Sequence, residues 1–124
     1  MAKAQKRDKA RERRIAMEIV VDAYDAQERA MGWYYYLESQ LRVPFTATCI
    51  ARREISPLHV DDEVVVLGMA GEDECEHEMF VTTEWEEDGL AVPLSQLRPM
   101  GETDGRTKQA VADWRYWVKM GYEF

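Results

Sequence analysis

The chain has 124 residues, 46% of them apolar and 10% aromatic, with a formal net charge of −8. That is enough apolar side chain for one core and too little chain for two domains, which excludes a disordered polypeptide. No apolar run approaches the roughly 20 residues that span a bilayer, and no apolar signal core follows the basic start, so the expected setting is the cytoplasm with no membrane partner.

Residues 1–14 (MAKAQKRDKARERR) hold seven Lys/Arg and two acids, a net of +5, and read as a frayed, solvated helix start ahead of one domain over 15–124. Ile15, Ile19 and Ala23, with Val20 and Tyr24, fall at steps of four, which predicts a helix over 6–24. Asp25-Ala-Gln-Glu28 reads as a capping box opening a second helix to about residue 40, although a single long helix through Asp25 fits the same pattern. Gly32 costs that helix about 1 kcal/mol. Trp33-Tyr34-Tyr35-Tyr36 and Trp114-Arg115-Tyr116-Trp117 read as core, the two helices packing on each other.

After Pro44 the period changes. Phe45, Ala47, Cys49 and Ala51 alternate with Thr46, Thr48 and Ile50, predicting a strand over 45–52. EVVVLGMA (63–70) is apolar on both faces and predicts a central strand. EHEMFVTTEWEEDGL predicts a third strand that turns at Asp88-Gly89. LAVPLSQLRPM predicts a fourth, with Pro93 at an edge or bulge and a helical turn at SQL. A last helix runs over 107–120 and stops at Gly121. The fold class is α+β: a small bent antiparallel sheet, or SH3-like partly open barrel, flanked by N-terminal helices and a C-terminal helix.

Charge is concentrated in the middle. Residues 54–104 hold fifteen acids and one base, Arg98, for a net of −14. Such a surface repels phosphate backbones, so nucleic acid is not an expected partner, whereas cations or a basic protein are. Within it, GEDECEHEMF places Glu72, Asp73, Glu74, Glu76 and Glu78 in seven positions. If extended, Glu72, Glu74, Glu76 and Glu78 share one face, continued by Glu84 and Glu86, with Met79, Val81, Thr83 and Trp85 inward. Crowded carboxylates repel one another, and a hard divalent cation relieves that repulsion. A solvated acidic face satisfies the same pattern. A tetrahedral zinc site would need Cys49, His59, Cys75 and His77, whose spacing matches no zinc motif. No nucleophile elbow and no Gly-rich phosphate loop is present, and Glu74 and Glu76 disfavour a Cys75 thiolate, so catalysis is not expected. No EF-hand pattern D-x-[DN]-x-[DN]-G occurs.

The segments GWYYYLE (32–38), VPFTATCI (43–50), ISPL (55–58), VVVLGMAGEDECEHEMFV (64–81), LAVPLSQL (90–97) and DWRYWVKMGYEF (113–124) are long and ordered. Together they resemble the CcbP-type cyanobacterial calcium-binding protein family over residues 15–124. The resemblance implies a single-domain, intracellular, non-EF-hand protein that binds Ca²⁺ through surface carboxylates, in buffering or signalling. The acids inside the matching motifs are the implied ligands: Glu38, Glu72, Asp73, Glu74, Glu76 and Glu78. Ser39 stands where a further acid would strengthen that end of the site. Asp61, Asp62, Glu84, Glu86, Glu87 and Asp88 add field rather than bonds. The alternative is an SH3-like interaction module whose acidic face docks a basic protein partner.

Overall fold

The computed structural model describes residues 7–85, 87 and 89–124. Its elements are α1 (Lys9–Arg14), α2 (Ala26–Gln40), β1 (Phe45–Cys49), β2 (Glu63–Met69), β3 (Phe80–Thr83), β4 (Leu90–Pro93), β5 (Leu97–Pro99) and α3 (Gly105–Lys119), an α+β fold. The five strands pair antiparallel in the order β4-β3-β2-β1-β5, so β2 is central.

The sheet has to curl. β4 and β5 are its opposite edges, about 19 Å apart if the strands lay flat at their usual spacing. Only the 3₁₀ turn Leu94–Gln96 joins them, and such a turn rises about 2 Å per residue. Bending closes the gap and wraps the inner face around a core of Ala47, Cys49, Val66, Val81, Val92 and Leu97, all at 0% exposure. A bulge between Val66 and Gly68 of β2 helps the bend. β1 alternates buried and half-buried as its sequence predicts, but it ends at Cys49, and Ala51 is exposed. Pro93 closes the edge strand β4, where a missing N–H costs no ladder bond. The predicted fourth strand is two strands split by the 3₁₀ turn. Trp85, predicted inward, lies past the end of β3 and is exposed. Of the predicted Asp88-Gly89 turn, Asp88 lies outside the described residues, and Gly89 has φ +76°, which glycine adopts without strain.

The long helix over 6–24 does not form as one piece. α1 widens into a π turn over Ile15–Ile19, closed by the Val20 N–H donating to the Ile15 carbonyl at 3.0 Å. Asp22 then takes φ +59° and ends the run, leaving Tyr24 exposed. Asp25 caps α2 instead: its carboxylate accepts from the Glu28 N–H at 2.8 Å. Gly32, weak by propensity, is required by packing. A Cβ there would lie 2.4 Å from the Ile19 carbonyl oxygen, so the π turn seats its backbone on the bare spot of α2.

α3 starts two residues earlier than its sequence predicts, capped by Asp104. It ends in a Schellman arrangement: Tyr122 N–H donates to Trp117 and Gly121 N–H to Val118, with Gly121 at φ +79°. The two helices pack through their tryptophans. The Trp33 ring centroid lies 5.0 Å from Trp114 and 5.6 Å from Trp117, the core role predicted for both aromatic runs. Tyr35 is the exception, pointing to solvent.

Of the basic start, residues 1–6 lie outside the described set. Lys9–Arg14 are helical and pinned rather than frayed. Arg11 Nε and Arg14 Nη2 reach the fully buried Asp113 at 2.9 and 2.7 Å, Arg14 Nε adds a third bond at 3.0 Å, and the Tyr36 hydroxyl a fourth at 2.9 Å. Four donors saturate one carboxylate, as burial of a charge demands.

Candidate metal site

The acidic segment is not extended. Glu72–Cys75 forms a 3₁₀ turn between β2 and β3, so the predicted comb of alternate glutamates does not exist. The cause is Cys75. Its side chain is fully buried, and its sulfur accepts the Phe80 N–H at 3.4 Å. Anchoring that one apolar side chain folds the turn back on β3 and leaves Glu72, Asp73, Glu74 and Glu76 in solvent. Burial pushes the Cys75 thiol up; the Phe80 bond opposes this and Glu74 adds to it. The result is an inert thiol.

The second wall is α2. The buried Tyr34 donates its hydroxyl to the Ala70 carbonyl at 2.8 Å, and the exposed Tyr35 donates to Glu72 Oε1 at 2.7 Å. These two bonds fasten the turn's leading edge to the helix. Glu38, one helical turn after Tyr34, is exposed on that face. Its charge reaches both phenols: Tyr34 is raised first by burial and next by Glu38, whereas Tyr35 is raised first by its bond to Glu72 and further by Glu38. Glu38 and Glu72, 34 positions apart in sequence, thus share a neighbourhood.

The remaining predicted ligands separate. Asp73, Glu76 and Glu78 line a cavity of about 1010 Å³ together with Glu72. Glu74 and Glu38 do not. Glu78 is already engaged: Arg53 grips it in a two-pronged pair at 2.8 and 2.9 Å, and Ser95 donates to it at 3.3 Å. The Glu78 bond raises Arg53 above the ordinary arginine range against the opposing cost of burial. The signal for this pair was the basic doublet Arg52-Arg53, which abuts the acidic stretch. Glu84 and Glu87 are exposed, and Glu86 and Asp88 lie outside the described residues.

Among the described residues, no three His, Cys, Asp or Glu side chains stand close enough to hold a metal. The zinc quartet is dispersed: Cys49 and Cys75 are buried, while His59 and His77 are exposed. The donor set that remains at the turn is hard oxygen. Glu72, Asp73, Glu74 and Glu76 form no ion pair among the described residues. That chemistry fits a hard cation that tolerates irregular geometry, provided the carboxylates swing inward to meet it.

A family model described as Calci_bind_CcbP, calcium binding, matches residues 13–118. Two solved structures are similar to the chain. One is the crystal structure of Anabaena CcbP, 41% identical, covering 98% of each chain with a TM-score of 0.85. The other is a calcium-binding protein in its calcium-binding form, 41% identical, covering 100% of each chain with a TM-score of 0.84. No curated protein matches.

Proposed function

Because the chain belongs to the CcbP calcium-binding family, we propose that it binds Ca²⁺ at the turn over 72–76, with Glu38 completing the site from α2. The observation that carries this reading is the Tyr35–Glu72 bond, which brings the turn against the helix face that holds Glu38. Glu72, Asp73, Glu74 and Glu76 supply the mobile oxygens. Glu78 contributes field, its own oxygens being held by Arg53. The carboxylates must gather around the ion, so part of the binding energy goes into ordering them. That sets a moderate affinity, roughly 10⁻⁶ to 10⁻⁴ M. Mg²⁺ binds less well because it demands a near-octahedral shell and keeps its waters. The role is cytoplasmic calcium buffering or signalling, by binding and not by catalysis.

The test is calorimetric titration of chelator-stripped protein with Ca²⁺ and Mg²⁺ in about 0.15 M salt, which screens loose counterion attraction. Saturable Ca²⁺ binding that survives excess Mg²⁺ is expected. Heats no larger for Ca²⁺ than for Mg²⁺ would sink the site.

A further inference from the structure

The cavity of about 1010 Å³ is a trough between two helices. One wall is the α2 stripe Ala26, Ala30 and Met31. The other is the α3 stripe Trp114, Trp117 and Val118, spaced i, i+3, i+4. These are the ridges against which a third helix packs. Its floor is apolar but closed to solvent, with Ala30 at 1% and Trp114 at 2% exposure, so the apolar surface open to an occupant is the lip, where Val118 is 39% exposed and Met31 half-buried. Phe124, from the segment that follows α3, is itself part of the lining: its ring lies against Trp114, centroids 5.8 Å apart, and Arg29 of α2 donates to its carbonyl at 2.7 Å.

The charges facing the trough have one dominant sign. Among the described residues, Glu72, Asp73, Glu76, Glu78 and Glu123 line it against one guanidinium, Arg53, which is committed to Glu78. Among the described lining residues, His77 and Tyr122 are the other titratable side chains. An apolar floor with an acidic rim selects an occupant with an apolar stripe and basic flanks. We infer that the trough between α2 and α3 docks a cationic amphipathic helix of a partner protein, and that Ca²⁺ opposes this docking. The second half rests on the calcium reading above, since Glu72, Asp73 and Glu76 serve both. A divalent ion on those carboxylates removes the attraction that a basic helix needs, and linkage makes the antagonism reciprocal.

The probe is a synthetic Leu/Lys peptide of about 18 residues, long enough for five helical turns, with leucines at i, i+3, i+4. A scrambled Leu/Lys peptide and a Leu/Glu peptide are controls. Binding is read by calorimetry and by tryptophan emission in about 0.15 M salt. The amphipathic peptide should bind saturably and shift the emission, and the controls should not. Val118→Lys should weaken it about tenfold, an energy of ~1.4 kcal/mol. Val60→Lys makes the same charge change at an exposed residue outside the trough and should leave binding within about twofold. Equal effects of the two variants, or equal binding of the scrambled peptide, would overturn the docking site. Saturating Ca²⁺ should weaken the peptide by the same factor by which the peptide weakens Ca²⁺; independent binding of the two overturns the antagonism. Absence of Ca²⁺ binding overturns the calcium reading alone, and the Val118 and Val60 variants still decide the trough.

Discussion

Asp113 and the 72–76 turn are two opposite uses of carboxylate. Asp113 is fully buried and receives four hydrogen bonds from Arg11, Arg14 and Tyr36. The turn's four acids are exposed and accept one side-chain bond from a described residue, Tyr35 to Glu72. The first carboxylate has no oxygen left for an ion. The second group has oxygens to spare and self-repulsion to lose. What separates the two is therefore the supply of donors around each, which charge counting along a sequence does not weigh.

Removing Asp113 tests the contrast most severely. Asp113→Ala strands two guanidiniums and a phenol, and should cost about 3 kcal/mol in urea denaturation while sparing Ca²⁺ affinity. A loss under about 1 kcal/mol would mean that Arg11 and Arg14 simply turn to water. The same cluster predicts alkaline sensitivity. Burial, and after it the Asp113 charge, pushes Tyr36 up to about 12. The folded chain thus holds this proton more tightly than the unfolded chain. Its stabilisation is complete below pH ~10 and is lost as pH rises through about 12. Urea midpoints that stay flat over that interval would contradict the assignment.

At the turn the order of effects reverses. Glu72→Gln should weaken Ca²⁺ about tenfold yet leave stability within about 0.5 kcal/mol. Tyr35→Phe removes one of the two bonds that fasten the turn to α2, and because Tyr35 is exposed and the Tyr34 bond remains, it should weaken Ca²⁺ only about threefold. Glu78→Gln should change Ca²⁺ affinity by less than about twofold, while costing under about 1 kcal/mol of stability through the half-exposed Arg53 pair. A large affinity loss at Glu78 would place it among the ligands and Arg53 as their competitor.

Local signals carried most of the fold into the sequence. Asp25 ahead of Glu28, the alternation of Phe45-Ala47-Cys49 and the Gly121 stop each specify an element within a few residues, and each forms. What the sequence hid depends on distant partners. Arg11 and Asp113 meet across 102 positions, so the basic start reads as solvated. Cys75 turns the acidic segment back because Phe80 and the core receive it, whereas alternation alone suggests a strand. Likewise the seat for the π turn is a single glycine, a residue that propensity marks only as a weakness. Glu38 and Glu72 were legible as acids in matching motifs, and a tyrosine hydroxyl orienting the loop's carboxylates could be expected; that Tyr35 is the one that reaches Glu72 was not legible.

The curl of the sheet, with its two edges joined by Leu94–Gln96, also sets a sequence in time. β5 pairs with β1 across about two fifths of the chain, a contact that pays a long loop closure, whereas β2 and β3 pair nearly next to each other. We therefore expect the β2–β3 hairpin to form first in refolding, and pulse-labelled amide exchange should protect Val66 and Val81 ahead of Leu97. A growing chain would then possess its acidic 72–76 turn before α3 arrives to build the far wall of the trough.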